Sequence, residues 1–189
     1  MVGRPIIIDG CNVAYDNANH RYFSWDGIRA AVDFFRAWGF HLIKVVLPSW
    51  RRVVPPLEVQ WGNKKLKTIG GRHIGDLERE GVMLYVPNQD YDDLHTLELA
   101  HRNGGVAVSN DNYNDIYDRY PDFQGIIEGT IKFQFTGERF HIPGRPNPVT
   151  DDRLWVLERE SGPVDWNIFP LGNLRRGNKK RRRHARPLF

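Results

Sequence analysis

The sequence predicts an α/β domain, a central, mainly parallel sheet flanked by helices. Two observations carry that expectation. Ile6-Ile7-Ile8 is an unbroken run of β-branched residues, the pattern of a strand covered on both faces. Three further short apolar runs, Leu42 to Leu47, Val82 to Val86 and Val106 to Val108, each follow a stretch of helical spacing ended by glycine. Strands alternating with helices imply right-handed crossovers and a parallel sheet.

The elements follow in order. The first strand ends in Asp9, and Gly10 lets the chain turn toward a polar loop, Tyr15 to Phe23. Ser24 caps a helix with Asp26 in its first turn. Ile28, Ala31, Val32 and Phe35 recur there at helical spacing, and Gly39 stops the helix. Leu42 to Leu47 is the second strand, closed by Pro48, and Pro48 to Thr68 reads as a loop rich in Pro, Trp and Lys/Arg. A short helix with Ile74 and Leu77 ends at Gly81, and Val82 to Val86 is the third strand. Asp92-Asp93 opens a helix carrying Leu94 and Leu97, which Gly104-Gly105 ends. Val106 to Val108, the fourth strand, runs straight into Ser109-Asn110-Asp111-Asn112-Tyr113-Asn114-Asp115. A helix over Asp122 to Glu128 leads to an alternating strand, Ile131 to Phe135, which Thr136-Gly137 turns into a partner, Arg139 to Ile142. Residues 1–142 therefore form one domain. An extension, 143–174, opens with a Pro/Gly linker and carries a short helix with Leu154, Trp155 and Leu157. A basic tail, 175–189, follows.

With 189 residues the chain has room for one real core and an appendage. No apolar run approaches a membrane span, and no N-terminal signal region is visible, so no membrane partner is expected. The single cysteine, Cys11, excludes an internal disulfide and a cysteine-based zinc module. That suits a reducing compartment, cytoplasmic or nuclear. The net charge of +4 hides an asymmetry. Arg175 to Phe189 holds eight Lys/Arg and no acid, which leaves the body with 19 basic and 23 acidic residues, a net of −4. Such a tail is an RNA arm, a nuclear import signal or a solubilising segment.

The acids are the chemically informative residues. Asp9 lies at the carboxyl end of the first strand, Asp92 and Asp93 beyond the third, and Asp111 and Asp115 beyond the fourth. Those strand ends share one edge of a doubly wound sheet, where ligands bind. Crowded carboxylates cannot all stay ionised without a cation. A hard ion such as Mg2+, which prefers oxygen ligands, is the economical answer. Each acid also has a structural reading. Asp9 can cap the turn after its strand, Asp92 can cap its helix, and Asp111 and Asp115 can be turn residues. The seven histidines read as surface or packing residues.

Ile8-Asp9-Gly10-Cys11-Asn12-Val13-Ala14, Phe23-Ser24-Trp25-Asp26-Gly27-Ile28, Leu47-Pro48-Ser49-Trp50-Arg51, Tyr91-Asp92-Asp93 and Ser109-Asn110-Asp111-Asn112-Tyr113-Asn114-Asp115 occur in that order. Together they resemble the regnase (MCP-induced protein) endoribonucleases, NYN-type members of the PIN-like superfamily, over roughly residues 4–142. The resemblance implies a Rossmann-like PIN/NYN fold and Mg2+-dependent cleavage, with Mn2+ as a substitute ion, of single-stranded or stem-loop RNA. It implies that Asp9, Asp93, Asp111 and Asp115 hold the metal, that Asp92 is their neighbour, and that Asn12 orients water or substrate. Cys11 stands where the family usually has Ser, and the segment between Val86 and Tyr91 is shorter than in many relatives.

Trp50, Arg51 and Arg52 follow the second strand, and Trp61, Lys64, Lys65 and Lys67 lie in the loop beyond. Arginine forks suit phosphate and an exposed Trp stacks on an unpaired base, so RNA contact is expected here and at Arg181, Arg182 and Arg183. The alternative is a solvated loop with its Trp folded onto the core. The rival functions are a PIN-like RNA-binding module that no longer cuts and a phosphotransferase using Asp9 as nucleophile. The oligomeric state is left open, a homo-oligomer included.

The tail gives a first prediction. Each phosphate neutralised on a single strand contributes roughly −0.7 to the slope of log affinity against log salt. If about four tail cations engage RNA, deleting Arg175 to Phe189 flattens that slope by roughly 3. Salt titrations of RNA affinity for both forms check this, and equal slopes would mean that the tail does not touch RNA.

Overall fold

A computed structural model describes residues 3–18, 21–52, 59–61, 64–87, 90–143 and 163–167, with main chain only at 59–61 and 64–67. The expected helix in the extension and the basic tail, Arg181, Arg182 and Arg183 included, lie outside the described residues.

The chain runs β1 (Ile6–Asp9), α1 (Gly10–Asn17), β2 (Tyr22–Ser24), α2 (Trp25–Ala37), β3 (Ile43–Pro48), a 3-10 turn (Ser49–Arg52), β4 (Val59–Trp61) and β5 (Lys64–Ile69). It continues through α3 (Ile74–Arg79), β6 (Met83–Val86), α4 (Asp92–Arg102), β7 (Val106–Val108), α5 (Asn114–Tyr117), α6 (Gln124–Glu128), β8 (Gln134–Thr136) and β9 (Arg139–His141). The main sheet has the order β6-β3-β1-β7, and its pairs are all parallel. β1 is thus central, and all three of its isoleucines are fully buried. Each contributes about 1.5–3 kcal/mol by leaving water. Alternate residues feed two cores. Ile6, Ile8, Val45, Leu47 and Val108 face the layer of α1 and α2, with Ile28, Ala31, Val32 and Phe35. Ile7, Val46 and Ala107 face the layer of α4, α5 and α6, with Leu94, Leu97 and Leu99. The result is helices on both faces of a parallel sheet, as expected.

The local signals act as the sequence implies at α2. Ser24 Oγ accepts from the Gly27 amide at 3.1 Å, and Gly39 adopts a left-handed φ of 81° just past the helix end. Three expectations need correction. The polar loop at 15–23 is replaced by α1, which starts directly at Gly10, and by β2. The loop at 48–68 contains a 3-10 turn, a β4–β5 antiparallel pair, and in β5 a parallel partner for β2. The strand expected at 131–135 begins only at Gln134, with Ile131 making a lone bridge to Val108. These elements are short and depend on distant partners, so local patterning hides them. α5 is likewise a single turn without a periodic signature.

Residues 163–167 return to the body at the end of α4. Arg102 donates to the carbonyls of Asp165 at 3.1 Å and Asn167 at 2.6 Å. Asn103 exchanges two hydrogen bonds with the Asp165 main chain, and Lys44 lies 5.2 Å over the Trp166 ring. Among the described residues no helix is long and apolar enough to cross a membrane.

Gly10 is required by close approach. A Cβ there would stand 2.7 Å from Leu47 and 2.8 Å from Val45, both buried side chains of β3. Overpacking of this kind costs typically about 2 kcal/mol. Gly10→Ala is therefore expected to lower the melting temperature by roughly 5 °C, and thermal unfolding of the variant measures it. An unchanged midpoint would mean that α1 can lift from the sheet at no cost.

Candidate active site

The sheet order places its switch point between β1 and β7. The chain winds outward from β1 through β3 to β6, then returns to the other side of β1. Ligand crevices form at this kind of point, outside the strand carboxyl ends. The register pairs Ile8 with Val108, which sets Asp9 beside Ser109.

Asp9 is 4% exposed and its two oxygens have different partners. Oδ1 accepts from the Asn12 amide at 3.0 Å, which caps α1. Oδ2 accepts from Ser109 Oγ at 2.9 Å across the switch point. The capping and site readings of Asp9 are therefore compatible, since one carboxylate carries both. Asn12 Oδ1 in turn accepts from the Asn110 amide at 2.8 Å, tying α1 to the loop after β7. The Asn12 side-chain NH2 takes no part in that bond.

The loop after β7 presents Asp111. Its amide donates to Ser109 Oγ at 3.1 Å, and its Oδ1 accepts from the Tyr113 amide at 2.8 Å. Tyr113 holds a φ of 50°, a left-handed conformation that a bulky residue adopts only under constraint. Full burial of its ring against the Leu97 and Ala107 layer supplies that constraint. From the other side, Asp92 begins α4, 6% exposed, with half-buried Asp93 next to it. Tyr91 Oη donates to Asp115 Oδ2 at 2.7 Å, so exposed Asp115 joins the rim through Tyr91.

Charge confirms the crowding. Burial, then the neighbouring Asp92 and Asp111 charges, push the Asp9 carboxyl up to about 7. Burial, then the Asp9 and Asp92 charges, push Asp93 up to about 8. Partial burial and the Asp92 charge also hold the Cys11 thiol well above its usual range, so it is no nucleophile at neutral pH. Four of the expected acids, Asp9, Asp92, Asp93 and Asp111, thus feel one another directly, and Asp115 joins them through Tyr91. Among the described residues no three acid, histidine or cysteine side chains form a ready-made cation cage.

Arg51 is 5% exposed beneath this edge. Its guanidinium carbon lies 3.9 Å from the Trp50 ring centre, 4.1 Å from Phe23 and 5.2 Å from Tyr15, and its Nη2 donates to Tyr15 Oη. Its Nε and Nη1 make no hydrogen bond. Arg52 is exposed and pairs with Glu78 at 2.9 Å. Lys64, Lys65 and Lys67 belong to β5 rather than to a loop, and their side chains lie outside the described residues. Ser109 and Tyr91 are positioning residues that sequence reading assigned no role, although both stand inside the motif blocks.

The acids thus gather at the switch point of a parallel sheet with helices on both faces. The chain matches the model of the Zc3h12a-like ribonuclease NYN domain over residues 2–154, and it belongs to that family. Two solved structures of nuclear protein-only RNase P 2 (PRORP2) from Arabidopsis thaliana share its fold, at TM-scores of 0.53 and 0.55 and 16% and 17% identity. Each match covers 74% of this chain but only 30% and 29% of the longer one.

The site predicts how stability depends on pH in the absence of metal. Asp9 binds a proton more tightly folded than unfolded, so its contribution is present at low pH and is lost as pH rises from about 4 through 7. In EDTA the wild type should lose on the order of 2 kcal/mol, roughly 5 °C in midpoint, between pH 5.5 and 8. Asn cannot ionise, so Asp9→Asn should remove the Asp9 share of that loss, leave the share due to Asp93, and overtake the wild type at pH 8. Parallel profiles for the two proteins would show that Asp9 is not the strained group.

Proposed function

We propose that this chain is a metal-dependent endoribonuclease that hydrolyses single-stranded or stem-loop RNA. The observation that carries the reading is the convergence of buried Asp9 with Asp92, Asp93 and Asp111 at the switch point of a ribonuclease-family fold.

The donor set fits Mg2+. It is made of hard carboxylate oxygens, and burial followed by the neighbouring acid charges raises the pKa of Asp9 and Asp93, a penalty that a bound cation would relieve. Asp9, Asp93, Asp111 and Asp115 would hold the ion, directly or through waters, as Mg2+ commonly takes only one or two carboxylates. When bound, Mg2+ supplies Lewis-acid polarisation of a phosphodiester and a water of lowered pKa. The chain contributes orientation. Ser109 fixes Asp9 and Asp111 relative to each other, Tyr113 fixes Asp111, and the Asn12 side-chain NH2, whose carbonyl oxygen is taken by the Asn110 amide, would orient water or substrate. Arg51 is a buried positive charge near Cys11, and phosphate contact is assigned to exposed Arg52 and, from the sequence alone, to the lysines of β5 and the tail.

Incubating end-labelled single-stranded and hairpin RNA with Mg2+ or EDTA tests the reading. Internal cuts leaving 5′-phosphate and 3′-hydroxyl ends are expected with Mg2+, and none with EDTA. Asp9→Asn keeps an acceptor for the α1 cap, so it should fold and lose on the order of 100-fold or more in cleavage. Cutting that survives EDTA defeats the metal assignment. Binding without cutting by the wild type would make the domain an RNA-binding module instead.

A further inference from the structure

A cleft of about 770 Å3 opens beside the acids, between the end of α1, the loop after β7 and the β8–β9 hairpin. Its size lies within the range of sites that hold a small organic ligand, about 300–1,000 Å3. One wall is shared with the candidate active site. The Asp111 side chain faces the acids, while its carbonyl accepts from Lys132 Nζ at 2.7 Å. Lys132 also reaches Asn112 Oδ1 at 3.4 Å, and it pairs with no carboxylate among the described residues. Asp16 lies one turn beyond Asn12 on the same face of α1, so this face runs from the acids into the cleft.

The floor is rigid. The Asn110 side chain exchanges hydrogen bonds with the Phe133 main chain in both directions, each at 3.0 Å. Above it stand half-buried Phe135, the exposed Gln134 amide and Asp16, with Asn17 at the edge, its side chain lying against Gly27 of α2. Asn17, Gln134 and Asp16 make no side-chain hydrogen bond among the described residues. The lining therefore offers an aromatic ring, unspent amide donors and acceptors, one ammonium at the end next to the acids, and one carboxylate on the α1 wall. A ring suits stacking on a base, amides suit the edge of an unpaired base, and an ammonium suits phosphate. A carboxylate accepts from an exocyclic amino group, as it does on cytosine N4, and uracil has none.

We propose that this cleft is a nucleotide subsite. It takes one unpaired nucleotide of the RNA strand, with the phosphate at Lys132 and the base between Phe135 and Asp16, and it prefers an amino-bearing base to uracil. The placement next to the cut rests on the endoribonuclease reading; the nucleotide site itself does not.

Two measurements on the full chain separate those dependencies. In EDTA, CMP and UMP are titrated while backbone amide NMR shifts are followed. Shifts confined to Asp16, Asn17 and Asn110–Gly137 are expected, with CMP half-saturating at roughly fivefold lower concentration than UMP. Asp16→Ala should erase that difference, and Gln134→Ala, at an exposed hairpin position, should weaken both nucleotides. With Mg2+, cut sites are mapped in a randomised single-stranded RNA pool. The wild type should show a bias of roughly fivefold against uracil at one position fixed relative to the cut, and Asp16→Ala should lose it. No shifts in the cleft, or equal affinity for CMP and UMP, overturns the subsite. Cutting without positional bias overturns its role in substrate choice. A wild type that never cuts defeats the endoribonuclease reading, and the titration still decides the cleft.

Discussion

The structure turns on one carboxylate buried without a matching cation. Asp9 ends the central strand, and it is held by two neutral donors, an amide of α1 and the hydroxyl of Ser109. Those two bonds join the three elements that meet at the switch point, β1, α1 and β7. Because the same carboxyl starts a helix and closes a seam, it stays in place even though its ionised form is disfavoured there. Neutral donors orient it without quenching its charge. A salt bridge at this position would have spent that charge on the fold.

The neighbouring residues extend this logic. Asp92 and Asp93 come from a helix start and Asp111 from a constrained loop, so none can retreat far from Asp9. Tyr113 keeps its left-handed backbone because its ring is locked in the second core. Arg51 is enclosed by aromatic faces, which suit a weakly hydrated guanidinium and leave two of its nitrogens unsatisfied. Its positive charge reaches Cys11, next to the acids, without entering an ion pair with them. Fold stability and the unbalanced charge of the site are thus properties of the same contacts.

Much of this was legible in the sequence for identifiable reasons. β1, β3, β6 and β7 are dense apolar runs, and α2 and α4 carry helical spacing with a cap or a glycine stop. Once the strands are parallel, acids just past their ends must share an edge, so the cluster followed without knowledge of distances. The lost elements have weak local codes. α1 is Gly-Cys-Asn-Val-Ala-Tyr-Asp-Asn, poor in helix formers, and exists through the Asp9 cap and packing against α2. β2 has three residues and finds its partner about 45 positions later in β5. Ser109 gains its role from register alone, because it falls opposite Asp9 only when Ile8 pairs with Val108. The Lys132 anchor is a main-chain carbonyl, which no residue type announces.

The central place of β1 also orders the steps of biosynthesis. β1 leaves the ribosome before either neighbour, since β3 begins at residue 43 and β7 at residue 106. Until then a strand of three consecutive isoleucines has an unpaired edge, the kind of surface that recruits other chains. The docking of residues 163–167 onto Arg102 and Asn103 comes later still, closing a loop of some 60 residues. A nascent chain therefore carries this apolar segment uncovered until β7 is made. Chaperone engagement during synthesis would matter more for this domain than for one whose first strand forms a hairpin.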